Sequence, residues 1–119
     1  MDNVPKRSFD LEQRTQKFSR DVRLFVKNVP KKFENVEDLK QLLRSSGSVA
    51  ANFIEANEAE SKKDFRHRVK ICRKEAKESR FWLSSLIIEE NDLKGEHRRL
   101  QQEAYEFELI FGSIIRNTA

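Results

Sequence analysis

Residues 65–86 read FRHRVKICRKEAKESRFWLSSL. Within this stretch Phe65, Val69, Cys72, Ala76, Ser79, Leu83 and Leu86 recur four and three residues apart. That is the spacing of a helix face buried against partner helices. One residue further on, Arg66, Lys70, Arg73, Lys77 and Arg80 repeat the same interval. One residue turns about 100° around a helix axis, so the charged ladder flanks the buried one. The first stripe governs folding, and the second is the first candidate for touching a partner.

The same period extends outward in both directions and predicts four helices. The third helix, about 61–90, starts at an S-x-x-D cap formed by Ser61 and Asp64. A break is expected at Asn91 to Gly95, and a fourth helix over about 96–117 buries Leu100, Ala104, Phe107, Phe111 and Ile114. Upstream, a second helix over about 35–58 is capped by Asn35 and buries Leu39, Leu42, Leu43, Val49, Phe53 and Ala56. A first helix over about 9–28 has Ser8 as candidate cap and buries Leu11, Thr15, Phe18, Val22, Phe25 and Val29. Pro30 closes it, because the residue before a proline resists helical geometry. Short connections force antiparallel neighbours, so the expected fold is an all-α, up-down-up-down antiparallel four-helix bundle in one domain over 1–119.

Composition agrees with this expectation. The chain has 119 residues, 37% of them charged, with 3 Gly and 2 Pro. A chain of that length buries roughly two thirds of its unfolded surface, enough for a core without metal or disulfides. No apolar run approaches the roughly 20 residues of a membrane span, and Met1 to Arg7 lacks the apolar segment of a signal peptide. The single Cys72 sits on a buried stripe. These features predict a cytoplasmic protein with no membrane partner.

Charge is unevenly spread. Residues 61–81 hold nine Lys/Arg against Asp64, Glu75 and Glu78, whereas residues 82–119 hold four against seven acids. A field of this kind steers an anionic partner to one face, or pairs the basic helix of one protomer with the acidic helix of another.

Polar residues also fall near the buried faces. Steps of three and four link Arg44, Ser48, Asn52 and Glu55 on the second helix. Pairing about the turn near Ala59 and Glu60 sets Arg44 opposite Glu75 with Glu78 in reach, and sets Gln41 opposite Glu78. The expected result is a structural polar cluster of low exposure, Arg44, Glu75, Glu78, Asn52 and Glu55, that fixes helix register. An arginine beside carboxylates leaves neither a free nucleophile nor an open metal position.

The runs LLRSSGSVAANFIEANEAESKKDF and EAKESRFWLSSLI resemble the four-helix-bundle family named for proteins encoded in intervening sequences of 23S ribosomal RNA genes, also labelled S23 ribosomal protein-like. DLEQRTQKF near the start and LQQEAYEFELIFGSII near the end resemble the same family. The resemblance implies a homopentameric ring. It also implies kinship to accessory proteins of diversity-generating retroelements, basic pentamers that bind a reverse transcriptase and nucleic acid.

Catalytic and cofactor signatures are missing from the sequence. Di-metal bundles need two E-x-x-H motifs, and only Asp64 and His67 approach that spacing, among lysines and arginines. No phosphate-binding glycine loop or zinc-type Cys/His spacing exists. The expectation is a non-enzyme with no metal and no cofactor. Its leading function is nucleic-acid binding, RNA or DNA, by Arg66, Lys70, Arg73, Lys77 and Arg80, helped by Arg20, Arg23 and Lys27 if the first helix lies alongside. The alternative is a protein-interaction scaffold or accessory subunit of a nucleic-acid enzyme. Phe81, Ile88, Tyr105, Leu109 and Ile115 lie off the main seams and are the expected interface of a homo-oligomer or protein partner.

Overall fold

The computed structural model describes the backbone from Lys6 and the side chains from Asp10 to Ala119. The leader expectation for Met1 to Arg7 lies, at residues 1–5, outside the described residues, as does the side chain of Ser8. Helix α1 spans Lys6–Asn28, α2 Phe33–Asn57, α3 Lys62–Ser85 and α4 Asn91–Asn117, with no strand among the described residues. Each helix packs on its chain neighbours and α1 returns to α4, so α1 and α3 lie on one diagonal of an antiparallel four-helix bundle. The α1–α4 seam is the least extensive of the four.

The core follows the apolar period. Val69, Cys72, Ala76, Ser79 and Leu83 are fully enclosed, and Leu11, Phe18, Val22 and Phe25 on α1, with Val29 just after it, are their counterparts. Phe107 meets Phe18 edge-on at 5.4 Å, and Phe111 lies 5.8 Å from Phe53, so aromatic rings join α4 to both α1 and α2. Each fully buried Phe contributes roughly 2–3 kcal/mol of hydrophobic transfer.

The backbone of α1 is already helical at Lys6, so Ser8 lies inside the helix and is not its N-cap. Beyond α1, helix ends depart from expectation in two places. Ser61 caps α3 as its motif requires, accepting the Asp64 N–H at 3.0 Å. By contrast α2 begins at Phe33 after Lys32, and Asn35 is no cap. Its side chain is 1% exposed and clasps the α3–α4 connection instead: Nδ2 donates to the Ile87 carbonyl at 2.8 Å and Oδ1 accepts the Ile87 N–H at 2.9 Å.

That clasp explains the second departure. The expected break at Asn91–Gly95 is the first turn of α4, and the chain leaves helical geometry at Leu86, with φ −65° and ψ 137°. Ser84 and Ser85 turn their hydroxyls back on the Phe81 carbonyl, a local competition that weakens a helix end. His97 Nε2 donates to the Leu83 carbonyl at 2.6 Å, which also accepts the Leu86 N–H at 3.3 Å, so two donors hold the end of α3. No helix among the described residues is long and apolar enough to cross a membrane.

Candidate nucleic-acid interface

The five-residue ladder on α3 divides in the folded protein. Lys70, Arg73 and Lys77 are exposed and form no ion pair among the described residues. Arg66 is partly buried, and its Nη2 donates to the Ile115 carbonyl at 3.3 Å, near the negative end of α4. Arg80 is held by Glu108 through Nε and through Nη2, the latter at 3.0 Å, while its guanidinium lies 5.3 Å over the Tyr105 ring. Glu108 raises the Arg80 pKa, and the ion pair ties this cation to α4 although its side chain is 41% exposed. Arg66 and Arg80 are thus structural residues rather than free phosphate contacts.

A parallel row was missed in the sequence. Lys63, His67, Lys70, Lys74, Lys77 and Phe81 are all exposed and again step by four and three. Lys63 continues the chosen ladder one step upstream of Arg66, and Lys74 lies beside it, one residue beyond Arg73. The period could have found them; only burial shows which of two adjacent cationic rows faces water. Arg20, Arg23 and Lys27 cannot extend this face, because α1 lies diagonally across the bundle from α3.

The acids of α4 do not form a complementary negative face. Glu103 and Glu106 are taken by Arg14 at 2.7 and 2.6 Å, Glu96 by Arg99 at 2.6 Å, and Glu108 by Arg80. The local excess of acid counted along the chain is cancelled mainly against α1 and α3.

The α2–α3 polar cluster has a narrower membership than expected. Arg44 Nη2 lies 2.9 Å from Glu78 and 3.3 Å from Glu75. The cluster is asymmetric: Glu75 is buried, but the Arg44 side chain is half exposed. The Nη2–Oε1 approach to Glu75 is poorly aligned, and Oε1 accepts no well-formed hydrogen bond. Gln41 bonds Arg44 rather than Glu78. Asn52 accepts from Arg68 at 3.0 Å and donates to Ser48, and Glu55 is exposed and apart from the cluster. The helical row therefore does not act as one network.

Of the apolar positions proposed for contacts, Phe81, Tyr105 and Leu109 are exposed, whereas Ile88 and Ile115 pack against the core. Lys77, Phe81, Arg98, Gln101, Gln102 and Tyr105 line an open groove of about 730 Å³ between α3 and α4. Cys72 is buried beneath α2, and burial pushes its thiol up to about 12, so it holds no thiolate at neutral pH. No group of three His, Cys, Asp or Glu among the described residues is arranged to hold a metal ion.

These features define a class: a helical bundle that presents a cationic helix face and an open groove beside it. The family model described as 23S rRNA-intervening sequence protein matches residues 7–110, and the chain belongs to that family. Among solved structures it is similar to a protein of unknown function from the S23 ribosomal protein family of Bacteroides thetaiotaomicron. The two share 30% identity and a TM-score of 0.75 over 92% of this chain and 97% of that one. No curated protein matches the chain.

Proposed function

We propose that this chain works by binding rather than catalysis, and that it holds nucleic acid through phosphate contacts along the outer face of α3. One observation carries the reading. Lys70, Arg73, Lys74 and Lys77 are exposed without an ion pair among the described residues, although acids are abundant in the neighbouring helix. A row of unmatched cations raises the local positive potential and draws a polyanion to this face. Contacts of this kind displace counterions from the phosphates and read no sequence.

The test is binding to random-sequence nucleic acid at several salt concentrations. Combined substitution of Lys70, Arg73, Lys74 and Lys77 by Gln should flatten the log–log salt slope by about 1 per lost contact. Binding indistinguishable from wild type would overturn the reading.

A second reading is a scaffold for a protein partner, such as the polymerase whose accessory subunit this would be. The exposed Leu109, 54% accessible, and Phe33, 97% accessible, favour it. A scaffold of this type binds its partner with equal affinity after the four cations are replaced.

A further inference from the structure

The groove between α3 and α4 has features that phosphate contacts alone leave unexplained. Phe81 and Tyr105 line it with 57% and 42% of their surface in water. Both rings are braced. Trp82 packs edge-on against Phe81 at 4.8 Å, and the Arg80 guanidinium is held over Tyr105 by the two hydrogen bonds it donates to Glu108. Lys77 and Arg98 flank the rings and supply positive charge.

Rings held beside cations suit nucleobases, whose faces stack on aromatic side chains whatever their sequence. A duplex hides those faces within its own stack, so the rings would add nothing to duplex binding. Two amides narrow the choice further. Gln101 donates through Nε2 to the His97 carbonyl at 3.3 Å, and Gln102 through Nε2 to Glu106 at 3.2 Å. Both residues line the groove, and neither side-chain carbonyl oxygen accepts a hydrogen bond from the described residues. Phosphodiesters and deoxyribose bring no hydroxyl to them, whereas each ribose brings a 2′-hydroxyl.

We infer that the α3–α4 groove is a binding site for single-stranded RNA, with bases stacked on Phe81 and Tyr105, phosphates on Lys77 and Arg98, and ribose hydroxyls donated to Gln101 and Gln102. This rests on the phosphate-binding reading above and adds strand state and sugar to it.

The test uses fluorescence anisotropy with three labelled probes of one sequence: a single-stranded RNA of about 12 nucleotides, the same DNA strand, and the RNA duplex. Wild type should prefer the single-stranded RNA. The exposed double substitution Phe81→Leu with Tyr105→Leu should weaken that probe about tenfold or more, leaving duplex affinity and salt slope unchanged. Gln101→Leu with Gln102→Leu should bring RNA down to the DNA value. Circular dichroism checks that both variants remain helical.

If the ring variant binds single-stranded RNA like wild type while the Lys/Arg→Gln variant is weakened, the groove assignment fails and the phosphate reading stands. If DNA binds wild type as tightly as RNA, the sugar assignment fails. If the ring variant lowers the mass seen by light scattering, the groove is a contact between copies and the inference fails. If the Lys/Arg→Gln variant has no effect on any probe, both readings fail together.

Discussion

Asn35 bonds both backbone groups of Ile87 from a position 1% exposed, across a sequence separation of 52 residues. A buried side chain that satisfies one donor and one acceptor is costly to lose, since each group left unpaired costs about 1–3 kcal/mol. Asn35→Ala should therefore lower stability in urea unfolding by about 2–4 kcal/mol. Asn35→Asp should be nearly as harmful, because a carboxylate accepts the Ile87 N–H but repels its carbonyl. A loss below about 0.5 kcal/mol for either variant, the range of an ordinary surface change, would contradict the clasp. Lys32 strengthens the same junction from outside by pairing with Glu89, which holds the Glu89 carboxyl below its usual range.

At the scale of helices, the α1–α4 seam combines the least extensive backbone contact with a concentration of charge pairing. Arg14 donates to Glu103 and Glu106 and lies 5.2 Å over the Phe107 ring, while Arg99 bridges Asp21 at 2.8 Å. Arg14 holds Glu106 below its ordinary 4.5, with Gln102 assisting, and Arg99 does the same for Glu96. Burial alone would raise Asp21, but hydrogen bonds from Lys17 and Arg99 outweigh it and leave the carboxyl below its ordinary 3.8.

A carboxyl whose pKa is depressed by folding stabilises the fold above its unfolded value and loses that stabilisation as pH falls through its folded value. The seam should thus be intact from neutrality down to about pH 5 and weaken progressively below about pH 4. Arg14→Gln should cost about 1 kcal/mol at pH 7, a figure set by partial exposure. That cost should shrink between pH 7 and pH 3, because Glu106, held below its ordinary 4.5 by Arg14, loses its charge as pH falls through its folded value. Urea midpoints of both proteins at the two pH values decide the matter, and a cost undiminished at pH 3 would mean that Arg14 acts through packing alone.

The molecule as a whole is a rod of 45 × 29 × 19 Å with a radius of gyration of 15.1 Å. A compact domain of this length would have about 13.5 Å. An elongated bundle keeps more of each helix in water, which leaves room for a cationic face along α3 and for exposed apolar side chains such as Leu24, Phe33 and Leu109. The ring implied by family resemblance predicts a light-scattering mass of five copies of the 14.1 kDa chain. A single 14.1 kDa species at micromolar concentration would rule out such a ring. Repetition of the α3 row around a ring would raise affinity through multivalency without any new contact.

Periodicity by itself determined the bundle. Buried residues recur at intervals the chain cannot disguise, and Val69, Cys72, Ala76 and Leu83 lie in the core for that reason. The Ser61 cap was legible for a similar cause, since its partner Asp64 is three residues away. The end of α3 at Ser85 was not legible, because Asn35 and His97 hold that junction from other helices. The division of the basic ladder was hidden in the same way. Arg66 is bound to Ile115 and Arg80 to Glu108, so only tertiary packing decided that Lys70, Arg73 and Lys77 remain free. Local spacing sets which face of a helix is apolar, but whether a charge stays available depends on the neighbour that folding brings beside it.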